Sequence, residues 1–158
     1  MDLKENTNQV FQQVTNAVQE TGREDGSVSV IAVTKYVDIV TAANLIDQGV
    51  KHIGENRVDK FLEKYHALSD KDVTWHLIGS LQRRKVKDVI PFVDYFHALD
   101  SLKLAQEIQK RAVRTVKCFL QVNISGEESK HGFSKEELLA VLQDLSSLDK
   151  IEYVGLMT

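Results

Sequence analysis

In the stretch SVSVIAVTKYVD, residues 27–38, a mostly apolar run leads straight into Lys35. An amine at the end of a strand has two readings. It is a side chain snorkelling to solvent at a strand edge, its stem packed and its charge wet. Or it is held partly desolvated, so that the amine is neutral and nucleophilic and adds to a carbonyl carbon. An ordinary lysine is neutral at pH 7 only about once in a few thousand molecules. Burial and a neighbouring cation raise that fraction, and in such a setting Lys35 forms a Schiff base with an aldehyde.

Other candidates follow the same placement, just past an apolar run. In HIGENRV, Gly54 marks a tight turn, and Asn56 reads either as the N-cap of the next helix or as an amide offered to a ligand oxygen. In WHLIGSLQRRK, His76 points into a packed interior or toward a ligand mouth, because strand neighbours alternate. Gly79 and Ser80, ahead of an expected helix, form a potential anion seat from free amides and the helix dipole. Further candidates are Asn123 and Ser125 after one apolar run, and Met157 and Thr158 after another. The loop SGEESKHGF is a mobile cover over this mouth or a long connection.

Several chemistries find no support. The five histidines and the single cysteine show no metal-ligand spacing, and no H-E-x-x-H occurs. No G-x-S-x-G elbow is present. Arg83, Arg84, Lys85 and Lys87 lack the aromatic interleaving of a nucleic-acid patch and read as a solvated basic face. The lone Cys118 lies in an apolar strand and reads as a small core hydrophobe.

Elements must exist to position these groups. Leu3, Val10, Val14 and Val18 form a helical stripe ending at Gly22, followed by a strand over Val28–Val33. Asp38 caps a helix stopped by Gly49, and a short strand VKHIG follows. The helix NRVDKFLEKYHAL places Val58, Phe61, Leu62 and Tyr65 on one face, ahead of the strand VTWHLIG. The segment SLQRRKVKDVI is closed by Pro91, and then come the strand DYFHAL, a helix from Asp100 to Val113 and the strand VKCFLQVN. Ser134 with Glu137 makes a capping box for a helix to about Leu145, and KIEYVGLMT is the last strand.

Six strands alternating with helices argue a parallel α/β architecture. Ligands of such folds sit beyond the carboxyl ends of the strands, where the polar residues above converge. Neither G-x-G-x-x-G nor a P-loop motif is present. Six strands fit an open sheet or a (β/α)8 barrel without its last quarter. With 158 residues, 42% of them hydrophobic, one Pro and no linker-like stretch, residues 1–158 read as a single domain.

The net charge of −3 offers no global field for nucleic acid or an anionic membrane. The polar N-terminus has no signal-peptide core, and no run approaches the roughly 20 apolar residues of a membrane span. One cysteine excludes an internal disulfide and suits a reducing cytoplasm.

Together AVTKYVD, HIGENRV, WHLIGSLQRRK, LQVNISGEESKHGF and VGLMT resemble, in order and spacing, the pyridoxal phosphate homeostasis protein family, relatives of the N-terminal barrel domain of alanine racemase. The resemblance covers essentially the whole chain. It implies a TIM-type (β/α)8 barrel, incomplete here with about six strands, that binds pyridoxal 5'-phosphate at the strand carboxyl ends. Lys35 matches the family's Schiff-base lysine. Asn56 matches a position near the cofactor ring, His76 lies on a strand lining the same pocket, and Met157 lies close to the cofactor; Ser80 and Asn123 complete the expected binding set. Family members continue past GLMT with two further strands that hold the cofactor phosphate, so the resemblance makes this chain about the first two-thirds of a member.

The expected function is then non-catalytic: reversible holding of pyridoxal phosphate in vitamin B6 homeostasis, with PLP-dependent enzymes as recipients and the chain a monomer or weak homo-oligomer. The alternative is a PLP-dependent amino-acid racemase, which needs two bases on opposite faces of the α-carbon. A tyrosine from a separate domain supplies the second in alanine racemase, and Tyr36 points away from Lys35 if the strand continues. A third class is an interaction protein with a merely solvated Lys35.

Overall fold

The computed structural model describes residues 2–158. Its elements run α1 (Leu3–Glu20), β1 (Ala32–Val33), α2 (Ile39–Asp47), β2 (His52–Glu55), α3 (Val58–Ala67), β3 (Thr74–Leu77), a short helical patch, β4 (Tyr95–Leu99), α5 (Leu102–Arg111), β5 (Val116–Gln121), α6 (Lys135–Ser146) and β6 (Ile151–Met157). All six strands form one parallel sheet in the order β1-β2-β3-β4-β5-β6. Sequential order with helical crossovers is the winding of a (β/α) barrel, here open between β1 and β6.

Alternation along each strand divides the sheet into two faces. Ile53, Trp75, Leu77, Phe96, Val116 and Cys118 are buried beneath the helices, whose Ala42, Phe61, Val89, Leu104, Ile108 and Leu145 complete the core. Phe61 of α3 meets Trp75 edge-on, ring centres 5.6 Å apart. Each such side chain stabilises the fold by about 1.5–3 kcal/mol through removal from water. Residues of the other parity, among them His52, Gly54 and His76, point to the concave inner face.

Helix starts follow their side chains. Asp38 accepts from the Thr41 amide at 2.8 Å, and Ser134 with Glu137 forms both bonds of the capping box. Three expectations need correction. β1 pairs with β2 over two residues only, because Val28 and Val30 turn against Phe11, Val14 and Val18 of α1 instead of joining a ladder. Arg57, not Asn56, stands at the start of α3, and it makes no side-chain cap. Residues 80–90 are not one helix: a 3₁₀ turn (Arg83–Lys85), α4 (Val86–Val89) and a second 3₁₀ turn (Ile90–Phe92) follow each other. Burial of Leu81, Val86, Val89 and Ile90 pins this patch, and Pro91 sits inside its last turn, where a missing amide costs little.

Candidate functional site

The carboxyl end of β1 is held by a buried polar cluster. Thr34 and Glu55 are inaccessible and Lys64 is 4% exposed. The Thr34 hydroxyl donates to Glu55 Oε1 at 2.6 Å, and the Lys64 ammonium donates both to that same oxygen and to the Thr34 main-chain carbonyl. Glu55 Oε2 is buried with no partner among the described residues. The Thr34 carbonyl also accepts the Val37 amide at 3.1 Å, closing a turn that carries Lys35 and Tyr36 at its tip.

Lys35 therefore stands on a turn rather than on a strand, and it is exposed, as in the first of the two readings of the apolar run. The reason is local: β1 stops at Val33 and the chain leaves the sheet. Its Nζ lies 5.0 Å from the centre of the Tyr36 ring, so Tyr36 does not point away from it. Lys35 borders a cavity of about 420 Å³ together with Asp38, Lys60, Glu63 and Lys64. The amine is accessible, while Lys60 is paired with Glu63 and Lys64 with the buried Glu55.

The remaining expected residues disperse. Asn56 is half-buried at the end of β2, and its backbone lies so close to Gly79 that a Cβ there would fall 2.2 Å from the Asn56 carbonyl oxygen. Ser80 is exposed and lies ahead of a three-residue 3₁₀ turn, so no helix N-terminus stands behind it to seat an anion. The side chain of Asn123 is committed to its own loop: Nδ2 donates to the Glu127 carbonyl at 2.8 Å, and Oδ1 accepts from the Gly126 amide at 3.1 Å. That loop is tied down by backbone pairing of Gln121 and Asn123 with Phe133. Asn123 borders a second cavity, of about 560 Å³, with Lys130, His131 and Thr158. Met157 is half-buried on β6, opposite Gln121.

His76 is buried on the inner face and both its ring nitrogens are engaged. Nε2 lies 2.9 Å from His52 Nδ1, and Nδ1 lies 2.9 Å from His97 Nε2. Tyr95 stacks on it, ring centres 4.6 Å apart. Burial, with smaller contributions from His97 and His52, pushes the His76 pKa down to about 3, and burial lowers that of His97. The histidines form a chain rather than a chelate, and a ring with both nitrogens engaged is not free for a ligand.

Sequence reasoning missed the Glu55–Lys64 pair and the histidine row. Both left traces. Lys64 falls three residues after Phe61 and four before Leu68, on the buried stripe of α3. His52, His76 and His97 each sit within a predicted strand, and the parallel register, which pairs His52 with Thr74 and His76 with Tyr95, sets each two residues on from the last so that the rings meet diagonally on one face.

Residues 6–158 match the sequence model of the alanine racemase N-terminal domain. A pyridoxal phosphate homeostasis protein of Aquifex aeolicus is 36% identical over 161 residues, covering 100% of this chain and 71% of that protein. The chain belongs to the pyridoxal phosphate homeostasis protein family. Its Escherichia coli K12 relative of the same name is 30% identical, covering 99% of this chain and 69% of that protein. Among solved structures, PipY of Synechococcus elongatus PCC7942 with PLP bound superposes with a TM-score of 0.77 at 32% identity, covering 89% of this chain and 67% of that one. An alanine racemase of Clostridium difficile, at 16% identity and TM-score 0.66 over 89% of this chain and 37% of its own, shares the fold. The six strands are thus part of the alanine racemase-type barrel. No helix among the described residues is long and apolar enough to cross a membrane.

Proposed function

We propose that this chain binds pyridoxal 5'-phosphate reversibly through a Schiff base on Lys35 and serves in the intracellular homeostasis of that cofactor. The observation that carries the reading is the placement of Lys35: an accessible amine on a hydrogen-bonded turn at the carboxyl end of β1, beside a cavity bordered by Lys60 and Lys64. Lys35 fits an aldehyde ligand, with an accessible amine for the carbonyl carbon. A relative of 32% identity is described with PLP bound. When bound, the cofactor supplies an electron sink for amino-acid chemistry.

The chain's own residues have simple roles in this reading. Lys35 Nζ forms the bond to the aldehyde carbon, and the carbonyl oxygen leaves as water. Thr34, Glu55 and Lys64 hold the turn from beneath. Asn56, backed against Gly79, offers its amide at the mouth. The relatives of 30–36% identity are named homeostasis proteins, and on that support we read the chain as non-catalytic. Its role is to sequester a reactive aldehyde and release it to PLP-dependent enzymes of the cytoplasm.

The test is borohydride reduction of the chain mixed with pyridoxal phosphate, followed by peptide mass mapping. Label is expected on Lys35 and is lost in Lys35→Ala. Label distributed over other lysines in unmodified protein refutes the reading. Incubation with L-alanine and chiral analysis of the product tests the racemase alternative, and no D-enantiomer is expected.

A further inference from the structure

We infer that the buried Glu55–Lys64 pair, together with Thr34, is a positioning device that sets the height and direction of Lys35. The inference rests on Lys35 being the attachment point.

A buried ion pair is a poor source of stability, because desolvating both charges offsets most of their attraction. This one is poorer than usual. Glu55 Oε1 takes both the Thr34 hydroxyl and the Lys64 ammonium, while Oε2 is buried without a partner among the described residues. A fold seeking stability alone would be served by apolar side chains at positions 55 and 64. What the pair does achieve is directional. The Lys64 ammonium spends one donor on the Thr34 carbonyl, the group that also receives the Val37 amide and so closes the turn. The Thr34 hydroxyl fixes the same residue from its side chain, and the Thr34 amide donates to the Gly54 carbonyl at 3.0 Å. Donor, acceptor and side chain of Thr34 are all engaged, one position before Lys35.

The three residues come from β2, α3 and the end of β1, so the turn is referenced to three elements of the frame. An exposed lysine on an unsupported turn would sample many directions. Small losses of alignment cost a positioned nucleophile heavily, and holding the turn removes that disorder. The contribution is to geometry; none of the three residues needs to touch the cofactor.

The test compares the 158-residue chain with Glu55→Leu/Lys64→Met, which removes both charges and leaves none stranded, and with Thr34→Val and Thr34→Ser. Two readouts are taken: hydrogen exchange at the Val37 amide, and the rate at which borohydride fixes pyridoxal phosphate on Lys35. In the double variant we expect Val37 to exchange at least about tenfold faster and Lys35 labelling to slow by about tenfold, with β5 amides unchanged. Thr34→Val moves both in the same direction and Thr34→Ser restores them, a rescue that a merely space-filling role would not show. Unchanged Lys35 labelling in the folded double variant overturns the inference, and if that variant does not fold, unchanged labelling in Thr34→Val does so. A Lys35 that is not labelled in the unmodified chain overturns the preceding reading instead, and this inference with it, although Val37 exchange still reports the clamp.

Discussion

His52 Nδ1 lies 2.9 Å from His76 Nε2, so the first residue of β2 is tied to the middle of β3 through two imidazoles, and His76 is tied onward to His97 on β4. Each contact needs one nitrogen to donate and the other to accept. The chain can therefore be made by neutral rings all of one tautomeric sense, and a proton on every ring would set donors against donors.

Stability should accordingly fall with acid. The folded pKa of His76, about 3, lies below the ordinary 6.5, so between these values the unfolded chain binds a proton that the folded chain does not. By linkage, the unfolding free energy drops as pH falls below about 6.5, by up to about 1.4 kcal/mol per pH unit for each histidine kept neutral. His97, lowered in the same direction, adds to the slope. Urea titrations between about pH 7 and 5 read it, and His76→Phe, which retains the stack on Tyr95, should flatten it. An identical slope in that variant would show that the row does not control acid sensitivity.

The core gives a second prediction. Phe61 is fully buried between Trp75 and Tyr65, with ring centres 5.6 and 6.2 Å away. Phe61→Ala should cost about 3–5 kcal/mol, since the rigid sheet beneath cannot collapse into the space. Trp75 fluorescence during urea unfolding measures the loss directly.

Much of this frame was legible in the sequence, and its failures have a common cause. Strands flanked on both sides, such as Val116–Gln121, declare themselves through apolar alternation. The run Val28–Val33 looks the same in one dimension, yet it mostly serves α1, because an edge position offers it only one neighbour. Lys35 was correctly placed past an apolar run, but its exposure depends on a turn that no periodicity encodes. Glu55 and Lys64 are nine residues apart and read as ordinary surface charges until β2 and α3 bring them together. Asn123 has the composition of a ligand contact and is consumed by its own loop. Local propensity is written in the sequence, whereas partners across elements are not.

Gly79→Ala offers a third prediction. The backbone there needs no unusual dihedral, yet a methyl group would approach the Asn56 carbonyl oxygen to 2.2 Å, and a main-chain atom cannot swing aside. The cost is expected at about 1–3 kcal/mol, with Asn56 displaced from the mouth. Gly126→Ala is a useful contrast. Nothing stands within 4 Å of its Cβ position, but its φ of +72° makes any side chain strained, so a cost of about 1 kcal/mol is expected from the backbone alone. Thermal unfolding ranks the two.

The fourth prediction separates two lysines that border one cavity. Lys35 is exposed and rests against the Tyr36 ring, so Lys35→Ala should leave the unfolding free energy within about 0.5 kcal/mol of the parent. Among the described residues Lys64 is the cation paired to the inaccessible Glu55 carboxylate, so Lys64→Met strands Glu55 and should cost about 3–5 kcal/mol. Adding Glu55→Leu should recover most of that loss, because it is the unpaired charge and not the missing contact that destabilises. Urea midpoints for the two single variants and the double variant decide the matter. If Lys64→Met alone unfolds like the parent, the pair is not desolvated in solution, and the clamp beneath Lys35 has no rigid base.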